Sequence, residues 1–309
     1  MNDGIWNPAI ERRAVLKGSA VIAVAALGAQ AAHSEEPSQS PRQPAAGPTS
    51  PSVVIERRGH VLVIGLNRPK MDNRLDPPTY ALLAQAYHQL EQDPALRVGV
   101  LFGYGASFCK GIDVPAFQAV IAGNDEPAGA DDQIDPFGKT KPRLTKPVVS
   151  VVHGDTWNIG HELMLATDIR VAAAETRFAQ MEATQARMPG SGATVRFVRD
   201  AGWGQAMRYM LTGDSWDAAE AYRMGLVQEV APSPDAALSR GLEIASKIAA
   251  CAPRSIETTL ASAHLAIDTA EDKALSALNA QRTALYRTDD FREGLAASAQ
   301  HRTPLYLGR

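Results

Sequence analysis

Pro147-Val-Val-Ser-Val-Val-His-Gly-Asp-Thr-Trp-Asn-Ile-Gly-His-Glu162 carries an unbroken apolar run into a glycine-containing turn and then into a helix start at Glu162-Leu-Met-Leu-Ala. A short continuous apolar strand fits a sheet covered on both faces. The same order stands upstream in Phe102-Gly-Tyr-Gly-Ala-Ser-Phe-Cys-Lys-Gly-Ile-Asp113, where Val98–Phe102 supplies the strand. Such turns leave backbone N–H groups unpaired and pointing outward. Two of them facing each other supply one donor each to an enolate or oxyanion.

Outward from these two blocks the pattern alternates strand, turn and helix. Val53–Glu56 and Val61–Leu66, joined by Arg57-Arg-Gly-His60, predict an opening hairpin with Gly59 in the tight turn. Asp76-Pro-Pro predicts a capped helix start, and Tyr80, Leu83, Ala84, Tyr87 and Leu90 give that helix one buried face. Ile169–Ala174 is a further buried strand. Beyond about residue 203 strand signals thin out, and 217–224, 235–250, 255–270 and 272–287 carry helical patterning. The class predicted is α/β with a helical C-terminal region. Residues 123–146 hold no sustained period, and a loop of that length is read as a lid or substrate-facing segment, or as a surface loop.

The chain has 309 residues, 45% of them hydrophobic, and a net charge of −3, so a substantial core is available and no basic face for nucleic acid is expected. Its N-terminus is more distinctive. Arg12-Arg13-Ala-Val-Leu-Lys17 precedes the apolar run Gly18–Gly28 and Ala29-Gln-Ala31, the order of a twin-arginine signal peptide over 1–31. The run is too short to span a membrane. Residues 32–51, rich in Pro, Ser and Gln, read as a disordered linker. This pattern predicts engagement of the twin-arginine export machinery and a periplasmic location. Cys109 and Cys251, far apart and outside any metal-binding spacing, predict neither a metal site nor a disulfide framework; one long-range disulfide stays open.

Glu162 and Glu182 lie twenty residues apart, each at the end of a segment that could present it beside an N–H-bearing turn. Paired carboxylates suit general acid/base work. At this point the sequence resembles the crotonase, or enoyl-CoA hydratase/isomerase, superfamily from about Val53 to the C-terminus. The resemblance rests on Leu66-Asn-Arg-Pro69, Ser107–Asp113, Lys146-Pro-Val-Val, Gly160-His-Glu-Leu163 with Asp168-Ile-Arg, Thr176-Arg-Phe178 to Glu182, Met188-Pro-Gly190, Leu211-Thr-Gly213 and Ala221–Val227. It implies a spiral of ββα units over 52–250, a helical trimerisation region over 251–309, and homotrimers that commonly pair to hexamers. It further implies an oxyanion hole from the N–H groups of Ile112 and Ile159, catalytic Glu162 and Glu182, no cofactor, and an acyl-CoA thioester as substrate. Pro189, Gly190 and Gly192 would shape the acyl end of the pocket.

Three consecutive glycines are usual around the second donor, whereas this chain has Asn158-Ile159-Gly160. A branched Ile159 narrows the approach. His161 and Met181 also depart from the usual small residue and proline, and with His153, Asp155 and Trp157 they predict an unusually polar and bulky pocket lining. A buried or hydrogen-bonded structural role is the plainer reading of each histidine. Coenzyme A is a cytoplasmic metabolite, so the export signal leaves open a CoA-independent hydrolase that cuts C–C bonds of β-dicarbonyl compounds. A non-catalytic exported oligomer is the third reading.

Overall fold

The computed structural model describes residues 51–123 and 129–305. The expected signal peptide over 1–31, all but the last position of the 32–51 linker, and 124–128 of the long loop lie outside the described residues. In chain order the strands are β1 (Val53–Arg58), β2 (Val61–Leu66), β3 (Val98–Gly103), β4 (Val148–Val152), β5 (Asp155–Trp157), β6 (Ile169–Ala173), β7 (Arg177–Ala179), β8 (Ser215–Asp217) and β9 (Glu229–Ala231). The helices are α1 (Pro77–Gln92), α2 (Val114–Gly123), α3 (Ile159–Leu165), α4 (Ala193–Ala201), α5 (Trp203–Thr212), α6 (Ala218–Arg223), α7 (Pro234–Ala249), α8 (Pro253–Tyr286) and α9 (Asp289–Ala299).

The fold is mixed α/β. A six-stranded sheet in the order β1-β2-β3-β4-β6-β9 is parallel except for the β1–β2 hairpin, and β5-β7-β8 form a second, smaller sheet. Single bridges from Cys109 to Thr156 and from Leu75 to Ile112 extend the second layer toward the segment after β3. Side chains of β2 alternate between two cores: Leu62, Ile64 and Leu66 join α1, while Val61 and Val63 join α7. Burial on both faces is the physical reason that β2, β3 and β4 read as unbroken apolar runs.

The hairpin closes as expected, with Arg58 opposite Val61 and Gly59 at φ +59°. Asp76 caps α1 by accepting from the Thr79 N–H, and Tyr80, Leu83, Ala84, Tyr87 and Leu90 are buried. Two features differ from the sequence expectation. The helical stretches over 255–270 and 272–287 are one helix, α8, because neither Gly nor Pro interrupts them. Short strands also persist beyond residue 203, where β9 extends the main sheet beside β6 and β8 completes the small one.

Part of the long loop is fastened to α1. The Asp135 carboxylate accepts from the Tyr80 hydroxyl at 2.7 Å and from the N–H groups of Phe137 at 3.1 Å and Lys139 at 2.8 Å, while the Ile134 N–H bonds to the Ala84 carbonyl at 3.1 Å. Asp168 and Arg170 are structural: the Asp168 carboxylate accepts from the Val148 N–H at 2.8 Å, and Arg170 pairs with Asp200 at 2.6 Å. Cys109 is buried and Cys251 exposed, both as free thiols. Among the described residues no helix is long and apolar enough to cross a membrane.

The two glycine-containing turns meet backbone to backbone. The Phe108 N–H donates to the His153 carbonyl at 2.8 Å, and the Trp157 N–H to the Cys109 carbonyl at 3.0 Å. A Cβ on Gly154 would stand 1.9 Å from the Ala106 carbonyl oxygen, and one on Gly160 would stand 2.2 Å from that of Cys109. Only glycine permits either approach. Gly154 and Gly59 share a left-handed backbone, at φ +54° and +59°, but nothing lies within 4 Å of a Cβ added at Gly59. Gly59→Ala is therefore expected to cost about 1 kcal/mol, and Gly154→Ala at least about 3 kcal/mol, in urea unfolding. Equal costs would show that the 154 contact is relieved without penalty.

Candidate active site

A cavity of about 530 Å³ opens where these turns, the segment after β7 and the C-terminal helices converge. Ile112 and Ile159 both line it. Leu75 bonds on either side of Ile112, donating to the Gly111 carbonyl at 3.0 Å and accepting from the Asp113 N–H at 2.7 Å. That register turns the Ile112 N–H away from Leu75. Ile159 is the first residue of α3, where helix N–H groups have no intrahelical partner. Neither N–H has a hydrogen-bond partner among the described residues.

Asn158 sets the direction of the second turn. It holds φ +53° and ψ −122°, a conformation ordinarily left to glycine. Its N–H donates to the Ala179 carbonyl at 2.8 Å, and its side-chain oxygen accepts from the Met181 N–H at 3.0 Å. One residue thus ties the start of α3 to the residue before Glu182.

Glu162, in the first turn of α3, and Glu182, at the head of a 3₁₀ turn over Glu182–Gln185, both line the cavity and are both buried. Their hydrogen bonding is unequal. Glu162 Oε1 accepts from the N–H groups of Ser191 at 2.7 Å and Ala193 at 3.1 Å, whereas Glu182 Oε2 is buried without a partner among the described residues. Burial pushes the Glu162 carboxyl up, against the pull of its two N–H bonds. Burial, reinforced by the nearby Glu162 charge, pushes Glu182 up to about 8. Burial thus raises both carboxyls, and the two backbone donors favour ionisation of Glu162 over that of Glu182.

The family profile described as enoyl-CoA hydratase/isomerase matches residues 56–309. The chain belongs to the enoyl-CoA hydratase/isomerase family. Among curated relatives, an enoyl-CoA hydratase of Mycobacterium tuberculosis is 34% identical over 263 residues, covering 84% of this chain and 98% of its own. The 2,3-dehydroadipyl-CoA hydratase of Escherichia coli is 34% identical over 264 residues, covering 83% and 99%. The crystal structure of a probable enoyl-CoA hydratase/isomerase from Mycobacterium abscessus superposes with a TM-score of 0.69 at 38% identity, covering 84% of this chain and 99% of that one.

Several residues expected in the pocket stand elsewhere in this hydratase/isomerase-family chain. Trp157 and Gly190 line the cavity, but Gly160, His161, His153, Asp155 and Pro189 are not among its lining residues. Gly160 is the packing point against Cys109 described above. His153 latches the loops together, its Nε2 lying 3.0 Å from the Gly105 carbonyl. Asp155 holds Lys110 at 2.7 Å, and Lys110 in turn lies 4.5 Å from the Trp157 ring centre. His161 is fully buried among Phe197, Trp216 and Phe178, with ring centres 5.1, 5.1 and 6.0 Å away. Burial, helped by the Arg170 charge, pushes its pKa down to about 3, so it is neutral. The correction has a simple cause: consecutive helical residues diverge by about 100°, so His161 turns inward when Glu162 faces the cavity.

Other lining residues carried no signal of their own in the sequence. Asn158 stood out only as a departure from glycine, although asparagine is the residue best able to replace it at positive φ. Arg282 and Tyr286 reach the cavity from α8, a hundred positions beyond Glu182, and Leu295 from α9. No local pattern marks them. Asn158→Gly keeps the backbone conformation and loses the bond to Met181, while Asn158→Ala loses both. The alanine variant is expected to lower kcat/KM by at least about tenfold and the glycine variant by less than about fivefold; the reverse order would show that the strained turn does not position the site.

Proposed function

We propose that the protein adds water across the α,β-double bond of an enoyl-CoA thioester. The observation that carries this reading is two buried carboxylates sharing one cavity, unequally hydrogen-bonded, beside two unpaired N–H groups. In this reading the thioester oxygen accepts from the N–H groups of Ile112 and Ile159. Glu162, ionised, takes a proton from a water molecule whose oxygen bonds to Cβ. The π electrons move toward the carbonyl, and the enolate so formed is stabilised by the two donors. Glu182 then gives its proton to Cα, which returns the thioester and completes addition of H and OH. The two carboxyl groups exchange their protonation states, and the proton passes back before the next turnover.

Membership of a family of CoA-thioester enzymes supports the choice of substrate. The C–C hydrolase and the non-catalytic module gain no support from the comparisons, and neither His153 nor His161 is among the cavity lining residues.

The proposal extends to export through the twin-arginine machinery and to assembly as a homotrimer or hexamer. Arg12-Arg13 ahead of Gly18–Gly28 supports the first. Exposed Trp203, Leu211 and Tyr222 support the second, since large apolar side chains in open solvent favour association. Signal-cleaved protein in the periplasm at three or six times the protomer mass is the expected result of fractionation with light scattering. A full-length cytoplasmic monomer would overturn both.

Glu182→Gln tests the mechanism. It is expected to lower kcat on trans-2-enoyl-CoA by at least about two orders of magnitude, and a loss below fivefold would sink the assigned role. The wild-type rate should fall above about pH 8, as the acid ionises. Stability carries a matching sign. A carboxyl raised from 4.5 to about 8 favours the folded state fully below pH 4.5, and that contribution is lost as pH rises to 8. Glu182→Gln removes this loss, so the variant should melt higher than wild type at pH 8 and show a smaller gain at pH 5.

A further inference from the structure

The cavity that holds the two glutamates is also lined by cations, Arg187 and Arg282 among them. Arg187 follows Ala186, whose φ of +51° ends the turn that begins at Glu182, and the Arg187 N–H donates to the Glu182 carbonyl at 2.9 Å. Its half-buried side chain lines the cavity. Arg282 crosses from the end of α8, with its Cδ 3.0 Å from where a Cβ of Gly190 would stand, so the missing side chain at 190 leaves it room. Tyr286, one turn further along α8, lines the same wall. Both guanidinium charges act on the Tyr286 hydroxyl, and Arg187 also acts on Glu182. The Glu162 and Glu182 charges act on that hydroxyl as well, and Phe117, Val120 and Leu295 contribute apolar lining.

Arg187 has no counter-ion among the described residues: no carboxylate lies within ion-pair distance, and the facing Glu182 oxygen is without a hydrogen-bond partner. A half-buried guanidinium in such a cavity gains by taking up a carboxylate, which matches its fork of donors.

We propose that the acyl chain of the substrate ends in a carboxylate, received by Arg187 together with Arg282 and the Tyr286 hydroxyl. The inference rests on the thioester site proposed above. It gives a reason for two arginines in a cavity whose reacting groups are acids. A remote charge–charge contact of this kind supplies binding energy that holds the double bond in register with Glu162 and Glu182.

The test uses saturated thioesters, so it does not depend on turnover. Adipyl-CoA and hexanoyl-CoA are titrated calorimetrically into the full-length protein; both carry the CoA phosphates and differ only in a carboxylate or a methyl at the far end. Adipyl-CoA is expected to bind at least about tenfold more tightly. Arg187→Gln should bring the two within about twofold of each other, while Arg187→Lys, which keeps the charge and loses the fork, should keep part of the preference. Equal or tighter binding of hexanoyl-CoA by the wild type overturns the proposal. So does an Arg187→Gln variant that weakens both ligands alike, which would assign the arginine to the CoA phosphates. Absence of water addition to the trans-2-enoyl forms of either thioester would count against the hydratase reading alone, leaving the tail preference as measured; binding of neither thioester would remove both.

Discussion

The carbonyl oxygens of Ala106 and Cys109 lie where the side chains of residues 154 and 160 would begin, and the placement of both N–H-bearing turns depends on that contact. With glycine at both positions, the turn after β3 and the turn after β4 press together as bare backbone. The bonds from Phe108 to His153 and from Trp157 to Cys109 then fix their relative register. Asn73 braces the same assembly, its amide donating to the carbonyls of Tyr104 and Ser107 at 2.8 Å each. Backbone groups saturate one another across the contact, while the N–H groups of Ile112 and Ile159, one from each turn, keep no partner among the described residues and border the cavity. The site is thus a by-product of how two loops satisfy each other's hydrogen bonds.

Placing two carboxylates in that enclosed space has an energetic cost, and the fold distributes it unevenly. Glu162 is held by two backbone donors at the entrance to α4, whereas Glu182 has a bare oxygen. Like charges in a buried pair cannot both ionise near neutral pH, so asymmetry in hydrogen bonding decides which group keeps the proton. The chemistry proposed for the site needs that division of labour, one base and one acid at the same pH. Local structure that is unfavourable for stability is in this way favourable for proton transfer.

Much of this was legible in the sequence. Apolar runs bounded by glycines located β2, β3 and β4, Asp76-Pro77 located the start of α1, and the order of motifs around Glu162 and Glu182 identified the family. What escaped was anything that depends on which way a side chain turns. His161 stands next to Glu162 in the chain and lies behind the wall because a helix separates neighbours by a large angle. His153 and Asp155 are polar residues at the rim of a turn, and both are consumed by contacts within it, with Gly105 and Lys110. Residues that reach the cavity from distant segments were equally hidden, since periodicity within α8 says nothing of what its last turns will touch.

Helix α8 runs unbroken from Pro253 to Tyr286, a rise of about 50 Å at 1.5 Å per residue. Treated as a rigid rod, it has the cavity wall at its tip. A tilt of one degree at the root carries Tyr286 sideways by nearly an ångström, by simple trigonometry on that length. Leu275 and Leu278, buried in the last third of the helix, act as the nearer pivot that limits such travel. The cavity wall at Arg282 and Tyr286 is consequently held by the packing of Leu275 and Leu278 about one to three turns away, and not by the mostly exposed first turns of α8.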